Sequence, residues 1–224
     1  MDLIERLRVI GEERGADVFG VADAEDFLDE GYRGRRPQGI MPHCRSVVVV
    51  GTSLPRGCLE TLPQGRAEYT NTLMAATATI RVAALAMAKA LEREGYMATL
   101  VPTEGSEFGY WYVDREEMKG GVSIKYAAHL AGLGSFGTNH LLITDEHGPR
   151  VRLTALITDA PLEWKREQGP LISPHCRDCM RCVEVCPPGA LHRDGRIEPG
   201  LCRDYMFNHL GGLRCGLCVK VCPL

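Results

Sequence analysis

Eight of the ten cysteines in this 224-residue chain lie between residues 176 and 222, in two closely spaced runs. The first run reads Cys-x2-Cys-x2-Cys-x3-Cys-Pro and begins at Cys176. This spacing is typical of bacterial ferredoxins with two [4Fe–4S] clusters, where three neighbouring thiolates bind one cube and the fourth binds the other. The chemistry that it predicts is the transfer of single electrons.

The second run has cysteines at 215, 218 and 222, but Gly212 stands where its first cysteine should be. Cys202 lies between the two runs and is otherwise unassigned, so it is predicted to supply the missing ligand. The predicted ligands of cluster I are Cys176, Cys179, Cys182 and Cys222. Those of cluster II are Cys186, Cys202, Cys215 and Cys218.

Two other uses of clustered cysteines fit the sequence less well. A zinc site favours two paired Cys-x2-Cys knuckles and does not explain the x2-x2-x3-Pro run. A disulfide framework requires an oxidising compartment, and residues 1–15 lack the apolar segment of a secretory signal. Cys44 and Cys58 stand alone and are interpreted as plain thiols.

The composition indicates a globular protein of the cytoplasm. The net charge of -3 gives no reason to expect a nucleic-acid partner. The longest apolar stretch, residues 72–91, is interrupted by Arg81 and Lys89, so it is interpreted as a buried helix and no membrane partner is predicted.

Helical and extended patterns alternate ahead of the cysteines, which predicts an α/β fold. Residues 1–165 are predicted to form an α/β domain for a cofactor and substrate, and residues 166–224 a small ferredoxin-like domain. Helices are predicted over 2–14, 69–94 and 123–132, and strands over 16–23, 46–54 and 97–103, followed by a hairpin of 140–144 with 150–159. The uncharged valine run in 46–54 is typical of a strand covered on both faces.

The segment Gly132-Leu-Gly-Ser-Phe-Gly137 matches G-x-G-x-x-G, but it is not expected to bind a dinucleotide. That fold needs a strand before the motif and a helix after it, and here the order is reversed. Two interpretations remain open: a tight turn that needs glycine, or a backbone that lies close against a flat cofactor.

Acid–base candidates lie in residues 107–119, where aromatic and acidic side chains are concentrated. Tyr110, Tyr112 and Glu117 could supply a proton after electron delivery. Lys125 could pair with an anionic group. The plainer alternatives are an ordinary aromatic strand with a solvated end and a lysine on a helix surface.

Residues 131–162, followed by Cys-Arg-Asp-Cys-Met-Arg-Cys (176–182) and the later cysteines, resemble the epoxyqueuosine reductases and the corrinoid-dependent reductive dehalogenases. The resemblance implies a nitroreductase-like domain with a cofactor pocket beside the clusters. Cobalamin is the cofactor in well-known members, and FMN is the alternative. The residues expected to contact it are Gly132, Gly134, Ser135, Phe136, Gly137 and Asn139.

The sequence departs from that family in ways that put the family's activities in doubt. Epoxyqueuosine reductases carry an Asp proton donor where Met118 stands, and Lys125 alone keeps the character of their Glu-Arg pair. They also continue past the last Cys-Pro into a region that helps to hold tRNA, and the dehalogenases carry a twin-arginine export signal. Neither feature is found in this sequence, so a smaller redox role is expected.

The leading hypothesis is an iron–sulfur oxidoreductase. A ferredoxin- or flavodoxin-type donor would supply electrons through the two clusters to a cofactor and a small-molecule substrate. The rival is a non-catalytic electron carrier that reduces the cofactor of a partner. Reduction of epoxyqueuosine in tRNA is less favoured, and a homodimer is compatible with the sequence.

Overall fold

The computed structural model describes residues 2–103, 121–165 and 167–224. The helices are α1 (Leu3–Glu12), α2 (Arg56–Glu60), α3 (Arg66–Arg93), α4 (Ile124–Leu130), α5 (Arg181–Glu184), α6 (Pro199–Asp204) and α7 (Leu217–Lys220). The strands are β1 (Val18–Asp23), β2 (Ser46–Ser53), β3 (Ala98–Val101), β4 (Ser135–Phe136), β5 (Leu142–Ile143) and β6 (Val151–Thr158). The mixture of helices and strands confirms the predicted α/β class.

Four of the strands form one sheet in the order β1-β2-β6-β3. β1 pairs antiparallel with β2, and β3 pairs antiparallel with β6. Along β2, Val48 and Val50 face the main core while Val47 and Val49 point to the other side, and all four are fully buried. The sheet is therefore covered on both faces at β2, as the valine run predicts.

The main core lies where α1 and α3 pack on this sheet. Asp2 caps α1 by accepting a hydrogen bond from the Glu5 N–H at 2.7 Å, which satisfies one of the free donors at the helix start. The largest core side chains are Leu7 from α1, Met87 and Leu91 from α3, and Leu156 from β6. α3 is long and apolar enough to cross a membrane by length and composition, but Met87 and Leu91 are fully buried in this core.

The predicted hairpin of 140–144 with 150–159 is wrong. β5 pairs with β4, and β6 instead joins the four-stranded sheet beside β2 and β3. The turn after β5 closes on itself, because Thr144 and Gly148 form an isolated antiparallel bridge. This bridge satisfies the backbone hydrogen-bonding groups of Thr144 directly after β5, so β6 is free to pair elsewhere.

The chain divides into two compact units that do not follow the order of the sequence. The first comprises residues 1–52, 77–133 and 152–168, and the second comprises 53–76, 134–151 and 169–224. The second unit has its own apolar core of Leu54, Cys58, Leu59, Leu62, Tyr69 and Val219. The cysteine region thus shares a unit with two segments from much earlier in the chain.

Candidate iron–sulfur centre

The two cysteine runs fold into nearly identical turns. A residue in the left-handed region precedes each short helix: Met180, with φ of 48°, before α5, and Gly216, with φ of 69°, before α7. The Val183 N–H donates to the Met180 carbonyl at 3.0 Å, and the Val219 N–H donates to the Gly216 carbonyl at 3.1 Å. The runs are therefore two copies of one local structure, offset by 36 residues in the sequence.

The ends of these helices also match. The Cys186 N–H donates to the Val183 carbonyl at 3.3 Å, and the Cys222 N–H donates to the Val219 carbonyl at the same distance. Each run consequently places its last cysteine one turn after its third, with a proline directly behind it. In a shared pair of cubes, the last cysteine of each run binds the cube that the three before it do not.

One group of thiols joins the start of the first run to the end of the second. Burial raises the pKa of Cys182, and the neighbouring thiols of Cys176 and Cys179 raise it further. Burial also raises the pKa of Cys222, and the same two thiols add to that increase. Cys222 therefore lies beside the first run, although 36 residues separate it from Cys186.

A second group of thiols surrounds Cys218. Burial raises the pKa of this thiol to about 12. Four further thiols contribute to the increase: those of Cys215, Cys202, Cys182 and Cys186. Because Cys182 interacts with this group as well, the two groups adjoin.

The two groups of thiols differ from a site for a single metal ion. Within the described parts of the chain, no three His, Cys, Asp or Glu side chains converge on a point where they could bind a single ion. In a [4Fe–4S] cube each thiolate binds a different iron, so the ligands stand farther apart than around one zinc. Four grouped thiols therefore fit such a cube.

Cys202 reaches the second group from a helix of its own. It lies on α6, which continues directly into a π-helical turn over Tyr205–His209. The chain then returns through Gly212, whose N–H donates to the Met206 carbonyl at 2.9 Å. Gly212 has φ of 93°, which suits glycine and disfavours a cysteine at this position.

The chain between Cys202 and Cys215 is held by two further contacts. The guanidinium of Arg214 lies over the ring of Phe207, 4.9 Å from its centroid. The Arg214 N–H donates to the Thr70 hydroxyl at 2.8 Å. The residue before Cys215 is thereby fixed to the body of the second unit.

The second run is embedded in apolar residues from residues 54–69. Val219 is 7% exposed and packs with Leu54, Leu59, Leu62 and Tyr69. A Cβ on Gly216 would lie 2.6 Å from the Tyr69 ring and 2.7 Å from Leu62. The left-handed turn and the close packing therefore both require glycine at 216.

Lys220 ties the same run to α2. Its Nζ donates to the Glu60 carbonyl at 3.0 Å and to the Leu62 carbonyl at 2.5 Å. Carbonyls at the end of a helix have no partner within it, and a cation there is favoured by the helix dipole. Lys220 thus satisfies the end of α2 and fixes α7 at once.

The glycine motif begins with a helix end. Gly132, with φ of 70°, donates its N–H to His129, and the next N–H, of Leu133, donates to Ala128, both at 2.9 Å. This is the Schellman arrangement, which ends α4 with a left-handed glycine. Gly132 therefore has a structural role, and contact with a cofactor stays a prediction for it.

Gly134 and Gly137 pack closely against β5. A Cβ on Gly134 would lie 2.2 Å from the Ile143 carbonyl oxygen, and one on Gly137 would lie 2.6 Å from Asn139 Oδ1. The space beside these two glycines is taken by the protein itself. Their expected contact with a flat cofactor gains no support from this packing.

The next predicted contact residues connect the β4–β5 hairpin to the cysteine region. The Ser135 hydroxyl donates to the Pro170 carbonyl at 2.6 Å, and the Phe136 N–H donates to the Leu171 carbonyl at 2.8 Å. The buried Asn139 amide donates to the Cys218 carbonyl at 3.4 Å and accepts from the Leu141 N–H at 3.1 Å. Asn139 therefore contacts the backbone of a predicted cluster ligand.

The proposed acid–base residues are not brought into this region by the described chain. Tyr110, Tyr112 and Glu117 lie outside the described residues, as does Met118. Lys125 is half-buried in the first turn of α4 and belongs to the first unit. Their roles stay predictions.

Sequence reasoning missed the importance of Met180 and Lys220. A signal for Met180 was present, because aligning the two runs places it opposite Gly216, where a left-handed turn is expected. Lys220 gave no such signal, since its partners are carbonyls 158 and 160 residues earlier in the chain.

Comparison with known proteins agrees with this geometry. The model of the 4Fe-4S dicluster domain matches residues 175–224, which include all eight clustered cysteines. The epoxyqueuosine reductase of Listeria monocytogenes is 34% identical over 119 residues, which is 46% of this chain and 30% of that protein. A tetrachloroethene reductive dehalogenase of Desulfitobacterium hafniense is 35% identical over 104 residues, 43% of this chain and 19% of that protein.

The chain is therefore similar in sequence to both epoxyqueuosine reductases and reductive dehalogenases, and its last fifty residues match the 4Fe-4S dicluster domain.

The whole fold is shared as well. A solved reductive dehalogenase, whose structure suggested a mechanism for B12-dependent dehalogenation, superposes with a TM-score of 0.73 at 22% identity. The superposition covers 98% of this chain and 31% of the dehalogenase. The matches span less than a third of each of these three proteins, so the similarity identifies the fold and the cluster region but not the reaction.

Proposed function

We propose that this protein is an iron–sulfur reductase that passes single electrons through two [4Fe–4S] clusters to a cofactor and a small-molecule substrate. The observation that carries the proposal is the pair of four-thiol groups in a region that matches the dicluster domain. Two adjoining cubes relay electrons one at a time between a donor and an acceptor.

The ligand sets are proposed as the sequence predicts them, with Cys222 completing cluster I and Cys202 completing cluster II. The interactions of Cys222 with Cys176 and Cys179 support the first set. Those of Cys218 with Cys202 and Cys215 support the second.

A corrinoid is the proposed acceptor cofactor, with FMN as the alternative. A bound corrinoid supplies a redox-active cobalt that carries reducing equivalents from the clusters to the substrate. The B12-dependent dehalogenase with the same fold supports this choice. Of the predicted contact residues, Asn139 is the best placed to act between cofactor and clusters, since it already contacts the Cys218 backbone.

A non-catalytic electron carrier is the second candidate. Counted back without gaps from the glycine motif, Met118 falls at the position that the resemblance assigns to a proton-donor Asp, and a thioether cannot supply a proton. In that role the first unit would dock a partner and the clusters would reduce the partner's cofactor.

Epoxyqueuosine reduction in tRNA is the third and least favoured candidate. An epoxyqueuosine reductase has been solved with a tRNA stem loop. This chain carries a net charge of -3, which does not favour a polyanion. We place the protein in the cytoplasm, with a ferredoxin- or flavodoxin-type donor.

Anaerobic reconstitution with iron and sulfide, followed by an absorbance scan with each cofactor, tests the proposal. Two cubes predict about eight irons per chain. Retention of a corrinoid or flavin spectrum after gel filtration is expected for a reductase. A protein with full iron that retains neither cofactor would contradict the reductase and favour the electron carrier.

A further inference from the structure

An open groove of about 550 Å³ lies between the two pseudo-equivalent helices α5 and α7. Arg181, Glu184 and Val185 line one side, and Lys220 and Cys222 line the other. All belong to the second unit, so the groove is a feature of the cysteine region itself.

Cys222 makes this groove different from other surface features. Its thiol interacts with those of Cys176 and Cys179, and it is the proposed fourth ligand of cluster I. Electrons cross most readily where a ligand of one cube reaches solvent, and the groove provides such a place.

The charges around the groove are unbalanced. Arg181 is exposed, and Lys220 is fixed at the rim by two backbone carbonyls. Glu184 is paired with Arg193 at 2.9 Å, so its charge is already met by a cation. The lining thus contains two cations and one carboxylate that is already paired, in a protein whose net charge is -3.

We infer that the α5–α7 groove is the docking face for an acidic one-electron carrier protein, which delivers electrons to cluster I. The inference rests on the proposed function, because it takes Cys222 to be a cluster ligand. A cationic surface beside a redox centre attracts an acidic carrier and raises its rate of association. One electron passes from the reduced carrier to the oxidised cube at each encounter, with no bond made or broken.

The test is the rate of cluster reduction by a reduced acidic flavodoxin and, in parallel, by a reduced acidic ferredoxin. Stopped-flow absorbance under anaerobic conditions follows the bleaching of the clusters. Arg181→Glu is expected to lower the second-order rate constant about tenfold at low salt, with the difference shrinking as salt rises. Glu184→Gln is expected to raise the rate.

The matched control is Arg14→Glu, the same charge change on an exposed arginine that follows α1. Its rate should stay within about twofold of the unaltered protein, because it lies outside the second unit. A neutral, photoreduced small molecule should reduce all variants at one rate, since it does not need a docking face.

Three results would overturn the inference. The first is full reduction of Arg181→Glu by both carriers at the unaltered rate. The second is failure of both carriers to reduce the unaltered protein while the neutral reductant succeeds. The third is loss of a dimer on Arg181→Glu in sedimentation, which would make the groove a contact between copies. An iron content well below about eight, with no bleaching by any reductant, would instead contradict the proposed function.

Discussion

The two cysteine runs have one backbone design but different surroundings. In the first, Met180 before α5 and Val183 on it are half-buried, whereas in the second Gly216 and Val219 pack under Tyr69 and its apolar neighbours. The first run has a complete set of four cysteines, and the second replaces one of them with Gly212. This difference indicates that the first run is the solvent-accessible half of the cysteine motif and that the second run attaches the motif to the rest of the protein.

The largest expected effect is the loss of one cluster when the borrowed ligand is removed. Cys202→Ser should halve the iron content, from about eight to about four per chain, because cluster II loses a thiolate while cluster I keeps all four. Iron analysis and electron paramagnetic resonance after anaerobic reconstitution measure this. Retention of both cubes would refute the assignment of Cys202.

A second test of the Cys202 assignment moves the cysteine to residue 212, the position that a regular second run would use. The double variant Cys202→Ser/Gly212→Cys should not regain the second cube, because residue 212 has φ of 93° and its N–H is bound to Met206. Recovery of the full iron content would show that a cysteine at residue 212 can bind the second cube despite the backbone conformation there.

The second effect concerns the left-handed residues. Gly216→Ala should cost about 3 kcal/mol of unfolding free energy, since the methyl would overlap Tyr69 and Leu62 and the backbone disfavours any Cβ. Met180→Gly should stay within about 1 kcal/mol of the unaltered protein, because relief of the left-handed strain offsets the added chain entropy. Anaerobic guanidinium denaturation at equal cluster loading compares them, and equal costs would contradict the proposed difference in packing.

A third comparison uses the equivalent valines. Val219→Ala should cost about 2 kcal/mol, since it leaves a cavity beside Leu59 and Leu62. Val183→Ala should cost less than about 1 kcal/mol, because Val183 is only half-buried. The same denaturation experiment decides, and a larger loss at 183 would reverse the roles of the two runs.

The smallest loss of stability is expected at Glu184 and Lys220, two charged residues that occupy equivalent positions in the two runs. Lys220→Met should cost about 1 kcal/mol, since the Glu60 carbonyl at the end of α2 and the Leu62 carbonyl just after it lose their donor. Glu184→Gln should cost less than about 0.5 kcal/mol, because it removes an exposed ion pair with Arg193. If thermal melts show equal losses of stability for the two variants, Lys220 does not hold α7 to α2.

The sequence predicted the features that depend on local pattern. The valine run of β2, the end of α1 near Gly15 and the repeated cysteine spacing each follow from neighbouring residues, and the structure shows the first two directly. The hairpin prediction failed because strand pairing is a non-local choice, and the bridge of Thr144 with Gly148 closes the turn before β6 can join β5.

The sequence could not show which distant residues pack around the cysteine runs. Nothing in the spacing of the second run indicates that Tyr69 and Leu62 pack on Gly216, or that Asn139 binds the Cys218 carbonyl. These contacts join residues 79 to 154 positions apart, so no local periodicity carries them. Gly134 was open to two interpretations because its neighbour Ile143 is known only from the fold.

The apolar residues on which the second run packs have a consequence for biosynthesis. Residues 54–69, which cover Val219, leave the ribosome well before any of the clustered cysteines is made. The second run can therefore pack on apolar residues that the nascent chain already contains. A cysteine region expressed from residue 169 onward would lack those residues, so it should be a poor recipient for iron–sulfur assembly factors even though it contains every proposed ligand.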